Sequence, residues 1–258
     1  MKSDEVLKIV SSNILFESQG EAYPWEKRSS VLVSLIDDFQ TDLLGTQEGR
    51  EPQIRNLESK LSHLSIIDQH REWITERMYP TIFFNEKKFK LDSSGDIWLS
   101  ETPHVPGSKS FDSAFPRLCT WARLRTSNQT FFIVNVHLDH VKQETRTAQV
   151  NVLAKEVKSL LNDNDHLLIM GDFNDCPQSI VRKDLLKGIH FLNDPWEDFG
   201  HTEQSSHHKF EGPLENGKRI DWILIDKKLN AKSIVLDQSQ KDGIYPSDHY
   251  LVKLEIQS

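Results

Sequence analysis

The chain has 258 residues, of which 37% are hydrophobic and 27% are charged, so its composition is that of a globular protein rather than a disordered, collagenous or coiled-coil chain. Its formal net charge of −8 disfavours a sequence-blind grip on long duplex nucleic acid, which depends on many Lys and Arg side chains. No apolar run reaches the roughly 18 residues that a membrane span requires.

Short apolar runs rich in β-branched and aromatic residues predict buried strands, and apolar residues spaced three or four apart predict helices. The predicted strands are Leu7 to Leu15, Asp42 to Thr46, Thr81 to Asn85, Ile97 to Leu99, Leu118 to Leu124, Thr130 to His137, His166 to Met170, Ile220 to Ile225 and Leu251 to Ile256. The predicted helices are Glu26 to Phe39, Pro52 to Leu64 and Glu144 to Leu161. Because some strands are separated by helices and others follow one another directly, we expect mixed sheets covered by helices, in one α/β domain spanning residues 1–258.

Polar side chains recur where these strands begin or end. Carboxylate, carboxamide or imidazole groups occur at six such places: Asn13, Gln47-Glu48, His137-Leu138-Asp139-His140, Gly171-Asp172-Phe173-Asn174-Asp175, Asp221 and Ser247-Asp248-His249. Ionised groups beside a core are costly unless they bind one another or a ligand. If these strand ends converge, they form a cluster of oxygen ligands with two or three imidazoles.

The candidate ligand set consists of hard oxygen donors without a thiolate: Glu48, Asp172, Asp248, Asn13 and Asn174. Such donors suit Mg²⁺ or Mn²⁺ better than zinc, and Mg²⁺ leaves room for substrate phosphate oxygens. A carboxylate–imidazole pair beside such an ion suits phosphoester hydrolysis, because it can position water and neutralise developing charge.

The sequence resembles the endonuclease/exonuclease/phosphatase superfamily, whose fold is shared by pancreatic-type deoxyribonucleases, abasic-site endonucleases, deadenylases and inositol polyphosphate 5-phosphatases. The resemblance is carried by six short motifs in family order: SSNIL, LLGTQE, NVHLDH, MGDFND, RIDWILI and SDHYLV. The segment WLSETPHVPGSKSFDSAFPRLCTWARL is similar to a small deadenylase-like subgroup. The resemblance implies a four-layer α/β sandwich of two mixed β-sheets flanked by helices, the DNase I-like fold, with an active site at one end of the sheets.

It also implies a role for each matching residue. Glu48 is expected to be the main Mg²⁺ ligand, with Asn13 and Asp248 helping to hold the metal. Asp172 is expected to orient or activate water, and His249, oriented by Asp221, to stabilise charge or move a proton. The implied substrate contacts are Asn13, His137 and Asn174.

Other residues have an ordinary structural interpretation beside a functional one. For Asp139 and His140 we favour a role in shaping their loop, and for Arg117 and Arg146 a surface position over a phosphate contact. For His207-His208 a solvated loop is favoured. Stacking of a base is the less favoured interpretation for three tryptophans, which we expect to anchor the core or a loop: Trp25, Trp73 and Trp196.

The sequence therefore predicts a Mg²⁺-dependent phosphoester hydrolase in which water attacks phosphorus directly. The leading substrate class, taken from the resemblance, is a phosphodiester in single-stranded nucleic acid or a nucleotide-like molecule. A phosphomonoesterase acting on small sugar, inositol or nucleotide phosphates is the alternative, and a non-catalytic binding module is disfavoured. We expect no membrane partner, a monomer by default, and a cytoplasmic location, since Cys119 and Cys176 are far apart and no secretory signal is recognisable.

Overall fold

A computed structural model of the chain describes residues 6–18 and 23–257. Within these residues there are five helices: α1 (Trp25–Phe39), α2 (Glu51–Lys60), α3 (Gln143–Leu160), α4 (Ile180–Gly188) and α5 (Pro195–Asp198). The same residues form twelve strands: β1 (Val6–Asn13), β2 (Leu43–Gln47), β3 (Ser65–Ile67), β4 (Thr81–Phe84), β5 (Lys90–Trp98), β6 (Leu118–Arg125), β7 (Thr130–His137), β8 (Asp165–Asp172), β9 (Leu192–Asn193), β10 (Asp221–Asp226), β11 (Asn230–Asp237) and β12 (Leu251–Gln257).

The strands form two six-stranded sheets. The first has the order β11-β12-β1-β2-β4-β3 and the second β5-β6-β7-β8-β10-β9. Both sheets are mixed, because β1 is parallel to β2 but antiparallel to β12, and β7 is parallel to β8 but antiparallel to β6. The mixed sheets predicted from the sequence are confirmed.

Three apolar layers separate four layers of secondary structure. Between the sheets, Ile9 of β1 and Met170 of β8 belong to one buried cluster. On the outer face of the first sheet, Val10 packs with α1 and α2, and on the outer face of the second, Ile169 packs with α3 and α4. Central strands are therefore buried on both faces, which explains their nearly continuous apolar runs.

Two glycines allow the backbone to come close where the site is built. A Cβ on Gly45 would lie 2.6 Å from Met170 Cε of the facing sheet. Gly171 has φ +146°, and a Cβ there would collide with the carbonyl oxygen of Val136 on β7. Only glycine fits this path between β7 and the residue that follows, Asp172.

The sequence prediction missed two kinds of element. β11 lies at the edge of its sheet and is partly exposed, as is most of β5, of which only Ile97 and Trp98 were anticipated. Their polar residues face solvent and interrupt the apolar run. The short strands β3 and β9 and the helices α4 and α5 were also not predicted, and α2 ends at Lys60 rather than Leu64.

Among the described residues, no helix combines the length and apolar character needed to cross a membrane.

Candidate active site

The polar strand ends meet at one edge of the two sheets. β1 and β2 run parallel, so Asn13 at the end of β1 lies beside Gln47, and Glu48 follows directly. In the second sheet, β7 and β8 are parallel and pair His137 with Asp172 at their ends. β10 is antiparallel to β8 and begins there, so Asp221 also pairs with Asp172. Topology alone thus brings together residues that are far apart in the chain.

One amide links the two carboxylates at the centre of the site. Asn13 Nδ2 donates to Glu48 Oε1 at 3.1 Å and to Asp172 Oδ2 at 3.0 Å. His137 Nε2 lies 3.5 Å from Asp172 Oδ2 and 3.9 Å from Glu48 Oε1. Glu48 has φ +66°, a conformation that a non-glycine residue adopts only when its surroundings impose it. The surrounding structure therefore holds this carboxylate in place at a local cost in energy.

The electrostatics of this cluster fit a divalent cation. Burial, together with the neighbouring Asp221 and Glu48, raises the pKa of Asp172 to about 7. Oxygens or nitrogens of Glu48, His137 and Asp172 lie within 4.8 Å of one another. A cation among these groups would relieve the repulsion between the carboxylates, and carboxylate and amide oxygens are the donors that Mg²⁺ and Mn²⁺ prefer.

An imidazole–carboxylate pair stands next to this cluster. His249 Nδ1 lies 2.9 Å from Asp221 Oδ2. Burial disfavours the protonated ring, but the carboxylates of Asp221, Asp172 and Asp248 outweigh it and raise the pKa of His249 to about 10. With Nδ1 bound to Asp221, Nε2 is the nitrogen that remains for a group in the cavity. Asp221 does not pair with Arg219, which binds Asp194 and Glu203 instead.

Ser206 holds the Asp221 carboxylate in position and was not identified from the sequence. Its hydroxyl accepts from the backbone N–H groups of Ile220 at 2.8 Å and Asp221 at 3.1 Å, and donates to Asp221 Oδ2 at 2.6 Å. The same carboxylate oxygen therefore binds both Ser206 and His249. The signal was absent because Ser206 lies in a Ser-rich loop with no apolar pattern around it.

The prediction of a solvated loop is wrong for His208, whereas His207 is partly exposed. His208 is fully buried and stacks on Tyr250 with ring centroids 4.0 Å apart, and burial lowers the pKa of His208 to about 4. His207 stacks on His249 at 4.6 Å, and its Nε2 lies 3.3 Å from Asp248 Oδ2. An isolated β-bridge between His207 and His249 fixes this arrangement.

The imidazoles of His207 and His249 favour the ionised form of the Asp248 carboxylate. Burial favours its neutral form, but the hydrogen bond to His207 and the charge of His249 lower the pKa of Asp248 to about 2. Its backbone oxygen accepts from His208 N at 2.7 Å. Asp248 lines the same cavity as Glu48, so two of the three predicted metal ligands face a common space, whereas Asn13 lies behind Glu48 and donates to it.

Arg117 is buried rather than on the surface, contrary to the favoured interpretation. Its Nη1 lies 3.0 and 3.1 Å from the two ring nitrogens of His137, and Nη2 lies 3.2 Å from His140 Nδ1. No carboxylate among the described residues forms an ion pair with it, and its buried Nε has no hydrogen-bond partner there. Burial lowers the pKa of Arg117, and burial with the nearby Arg117 charge holds the pKa of His137 well below its usual value.

Arg146 is also buried, but it has a structural role. Its Nε donates to Asp175 Oδ2 at 3.0 Å and its Nη1 to the backbone oxygen of Asp139 at 3.1 Å. The Asp139 carboxylate accepts backbone N–H bonds from Ala114, Val141 and Lys142, so it shapes its loop, as the sequence indicated. His140, by contrast, lines the cavity.

Asn174 closes one side of the site in the left-handed conformation, with φ +51°. Its backbone N–H donates to Asp172 Oδ1 at 2.8 Å and its side chain to the backbone oxygen of Leu138 at 3.0 Å.

Trp25 and Trp196 are buried and Trp73 packs against the core, so these tryptophans are the anchors that the sequence predicted.

A cavity of about 460 Å³ is lined by the groups that face one another at the strand ends: Glu48, Arg117, His137, His140, Asp172, Asn174, His207, Asp248 and His249. The rest of its lining comes from the loops after β1 and β2 and those before β4 and β6, and includes Phe16, Arg50, Glu76, Arg77, Met78 and Phe115. The cavity thus combines carboxylates, imidazoles, arginines and two phenylalanine rings, of which Phe115 is exposed.

Residues 10–249 match the model of the Endonuclease/Exonuclease/phosphatase family, and the chain belongs to that family. Members of this family hydrolyse phosphoesters, so the protein is an enzyme of the phosphoester hydrolase class. A comparison with curated protein sequences finds no significant match.

Solved structures share its fold along nearly the whole chain. A mannosyl-6-phosphatase from Bacteroides thetaiotaomicron is 24% identical, with a TM-score of 0.86 and coverage of 98% of this chain and 100% of the other. D. rerio TDP2 complexed with single-strand DNA product is 19% identical, with a TM-score of 0.79 and coverage of 99% and 100%. The human Nocturnin catalytic domain with bound sulfate is 23% identical, with a TM-score of 0.77 and coverage of 98% and 94%. The DNase I-like fold expected from the sequence is confirmed.

Proposed function

We propose that the protein is a Mg²⁺-dependent phosphoester hydrolase in which water attacks phosphorus directly, without a covalent enzyme intermediate. The observation that carries the proposal is the meeting of Glu48, Asp172 and His249 in one cavity, with Asp221 bound to the far side of the His249 ring. Mg²⁺, or Mn²⁺ in its place, would be held by Glu48, which Asn13 orients, together with Asp248, and would supply positive charge to the phosphoryl oxygens.

Asp172 is the group that positions water and takes its proton. Its Oδ1 is held by the Asn174 backbone N–H and its Oδ2 by the Asn13 amide, so the carboxylate has a fixed orientation. A pKa raised to about 7 makes it a stronger base than an ordinary aspartate. General bases are most effective when their pKa lies close to the working pH.

His249 is the cation that faces the developing negative charge. With a pKa raised to about 10, its ring is protonated at neutral pH. Asp221 fixes the ring through Nδ1, which directs Nε2 toward the substrate. The protonated ring stabilises charge on the phosphoryl oxygens and can pass a proton to the leaving oxygen.

Three further side chains are placed to hold the phosphate. Neutral His137 and the amide of Asn174 offer hydrogen bonds without adding charge, and Arg117 brings a guanidinium that lacks a carboxylate partner among the described residues. Guanidinium groups suit phosphate because their planar donors match two of its oxygens. We assign Arg117 as a phosphate contact in addition to His137 and Asn174.

For the substrate, we propose a phosphodiester of single-stranded nucleic acid or a nucleotide-like molecule. The deadenylase-like sequence segment supports this choice, as does the fold shared with TDP2, whose structure holds single-strand DNA product. The likeness to a mannosyl-6-phosphatase favours the second candidate, a phosphomonoesterase acting on a small sugar phosphate. A non-catalytic module is disfavoured because every motif position carries a side chain able to perform its role.

A substrate panel tests the proposal. Single-stranded RNA, single-stranded DNA, abasic duplex and sugar phosphates are incubated with wild-type enzyme and with E48Q, D172N and H249A, with Mg²⁺ or EDTA. We expect Mg²⁺-dependent hydrolysis that each of the three substitutions reduces by at least about 10²-fold. Hydrolysis confined to small monoesters would replace the diesterase assignment with the second candidate. Retained activity in all three variants would remove the catalytic assignment.

A further inference from the structure

An exposed aromatic ring stands beside the phosphate contacts. Phe115 lies in the loop before β6 and is 46% exposed, yet it lines the cavity. One neighbour is the imidazole of His140, nearly parallel to the Phe115 ring at 17°, with centroids 5.9 Å apart. A single exposed apolar side chain is common on a protein surface, but one that lines a cavity beside charged groups is a candidate contact for a ligand.

Arg117 fixes this pair of rings. Its guanidinium lies 5.9 Å from the Phe115 ring centroid and within 3.2 Å of His140 Nδ1. Two residues of one short segment therefore supply an aromatic face and the proposed phosphate contact. A substrate that meets both must carry a flat apolar group a short distance from its phosphate.

A second aromatic–guanidinium pair lines the same cavity from another loop. Phe16, which follows β1, has the Arg50 guanidinium 5.1 Å from its ring centroid. Aromatic faces combined with cations are the usual means by which proteins bind unpaired nucleobases and their backbone. The two rings themselves offer a flat apolar face and no hydrogen bond to a sugar hydroxyl, so at these two positions the lining matches a base better than a sugar.

We propose that Phe115, supported by His140, stacks on the nucleobase next to the scissile phosphate, so that the enzyme selects base-bearing phosphoesters. This inference rests on the proposed function, because it concerns the substrate of that same site. It assigns Phe115 as a specificity-determining residue rather than a catalytic one.

Matched substrates with and without a base test the inference. A DNA dinucleotide is compared with the two analogues in which one nucleoside is replaced by a base-free tetrahydrofuran residue, and adenosine 5′-monophosphate is compared with ribose 5-phosphate. The readout is the ratio of kcat/KM with and without the base. We expect the wild-type ratio to exceed about tenfold for at least one position, because stacking of one base contributes about five- to hundredfold.

Phe115→Ala should bring this ratio close to one, whereas Phe115→Trp should keep or increase it. The matched control is Phe199→Ala, because Phe199 is 43% exposed and stacks on His201 with centroids 5.9 Å apart, away from the cavity. The control should leave the ratio at its wild-type value. Since Phe115 is exposed, its replacement should not affect folding, which circular dichroism can check.

A wild-type ratio near one, a preference for the base-free compounds, or an unchanged ratio in Phe115→Ala would overturn the inference. In each of these cases, Mg²⁺-dependent phosphoester hydrolysis would still stand, and a preference for the base-free compounds would favour the sugar-phosphate candidate as the substrate. Absence of hydrolysis for every compound would instead remove the proposed function, and the base-stacking role would fall with it.

Discussion

Two buried arginines illustrate the difference between a structural site and a binding site in this molecule. Arg219 donates to Glu203 and Asp194 at 2.8 Å, and these carboxylates outweigh burial and raise its pKa. Arg117 contacts imidazole nitrogens instead, and burial lowers its pKa. Both residues are at most 6% exposed to solvent, so they differ in their bonding partners and not in their burial.

A buried cation needs negative charge nearby to offset the loss of hydration. Around Arg219 the protein supplies that charge, and the network holds β10 and α5 together. Around Arg117 the carboxylates of Glu48 and Asp172 act only from a distance, and a phosphate in the cavity would complete its environment. The comparison therefore predicts that the two regions respond to substitution in opposite ways.

The largest effect is expected for the catalytic groups of the cavity. D172N and H249A should each reduce kcat by about 10²- to 10⁴-fold, the usual contribution of a positioned acid or base. The thermal unfolding midpoint of D172N should stay the same or rise, because the substitution removes a buried carboxylate from a repelling cluster. Steady-state kinetics and calorimetry measure both. A fall in stability that parallels the loss of activity would indicate a structural role.

In the structural region the effect should be on folding. Arg219→Met leaves Asp194 and Glu203 without their main partner, and we expect a loss of about 3 to 5 kcal/mol in the free energy of unfolding. Urea denaturation measures this loss. If the variant unfolds at the wild-type midpoint, the Arg219 network does not stabilise the fold.

Replacing Arg117 should produce the converse result. Arg117→Met should lower kcat/KM by about 10²-fold, the typical loss for one charge-stabilising contact, while the free energy of unfolding in urea stays within about 0.5 kcal/mol of the wild-type value or rises. Arg117→Lys should recover part of the activity. A variant with full activity and reduced stability would place Arg117 in the same class as Arg219.

A smaller effect, on pH dependence, is expected for Asp221. His249 acts in its protonated form, so the rate should fall as the pH rises through about 10. D221N removes the first of the charges that raise this pKa, and the alkaline limb of the kcat profile should move down by about one to three pH units. On the acid side, Asp172 acts in its ionised form, so the rate should decrease as the pH falls to about 7 and below. An alkaline limb that does not move in D221N would exclude His249 as its origin.

The sequence was most informative where both faces of a strand are buried. β1, β2, β7 and β8 stand in the middle of their sheets, and their apolar runs ended close to Asn13, Glu48, His137 and Asp172. Edge strands such as β5 and β11 gave no comparable signal, since one side of each is partly exposed.

Site residues that depend on long-range contacts were harder to identify. His207 meets His249 across 42 residues through a single bridge, and Ser206 acts through a loop with no periodic pattern. Arg117 has the sequence context of a surface residue, and its burial depends on the packing of its loop against β7. Such placements follow from tertiary structure and leave no local pattern in the sequence.

The central claim is that Glu48 and its neighbours hold a divalent cation. Titration of metal-free protein with Mn²⁺, followed by electron paramagnetic resonance, tests it directly in wild type, E48Q and the control E76Q. Glu76 lines the same cavity but pairs with Arg50 at 2.9 Å and is largely exposed. We predict that E48Q weakens Mn²⁺ binding by at least about tenfold and that E76Q binds as wild type does. Equal affinity in wild type and E48Q would contradict the account.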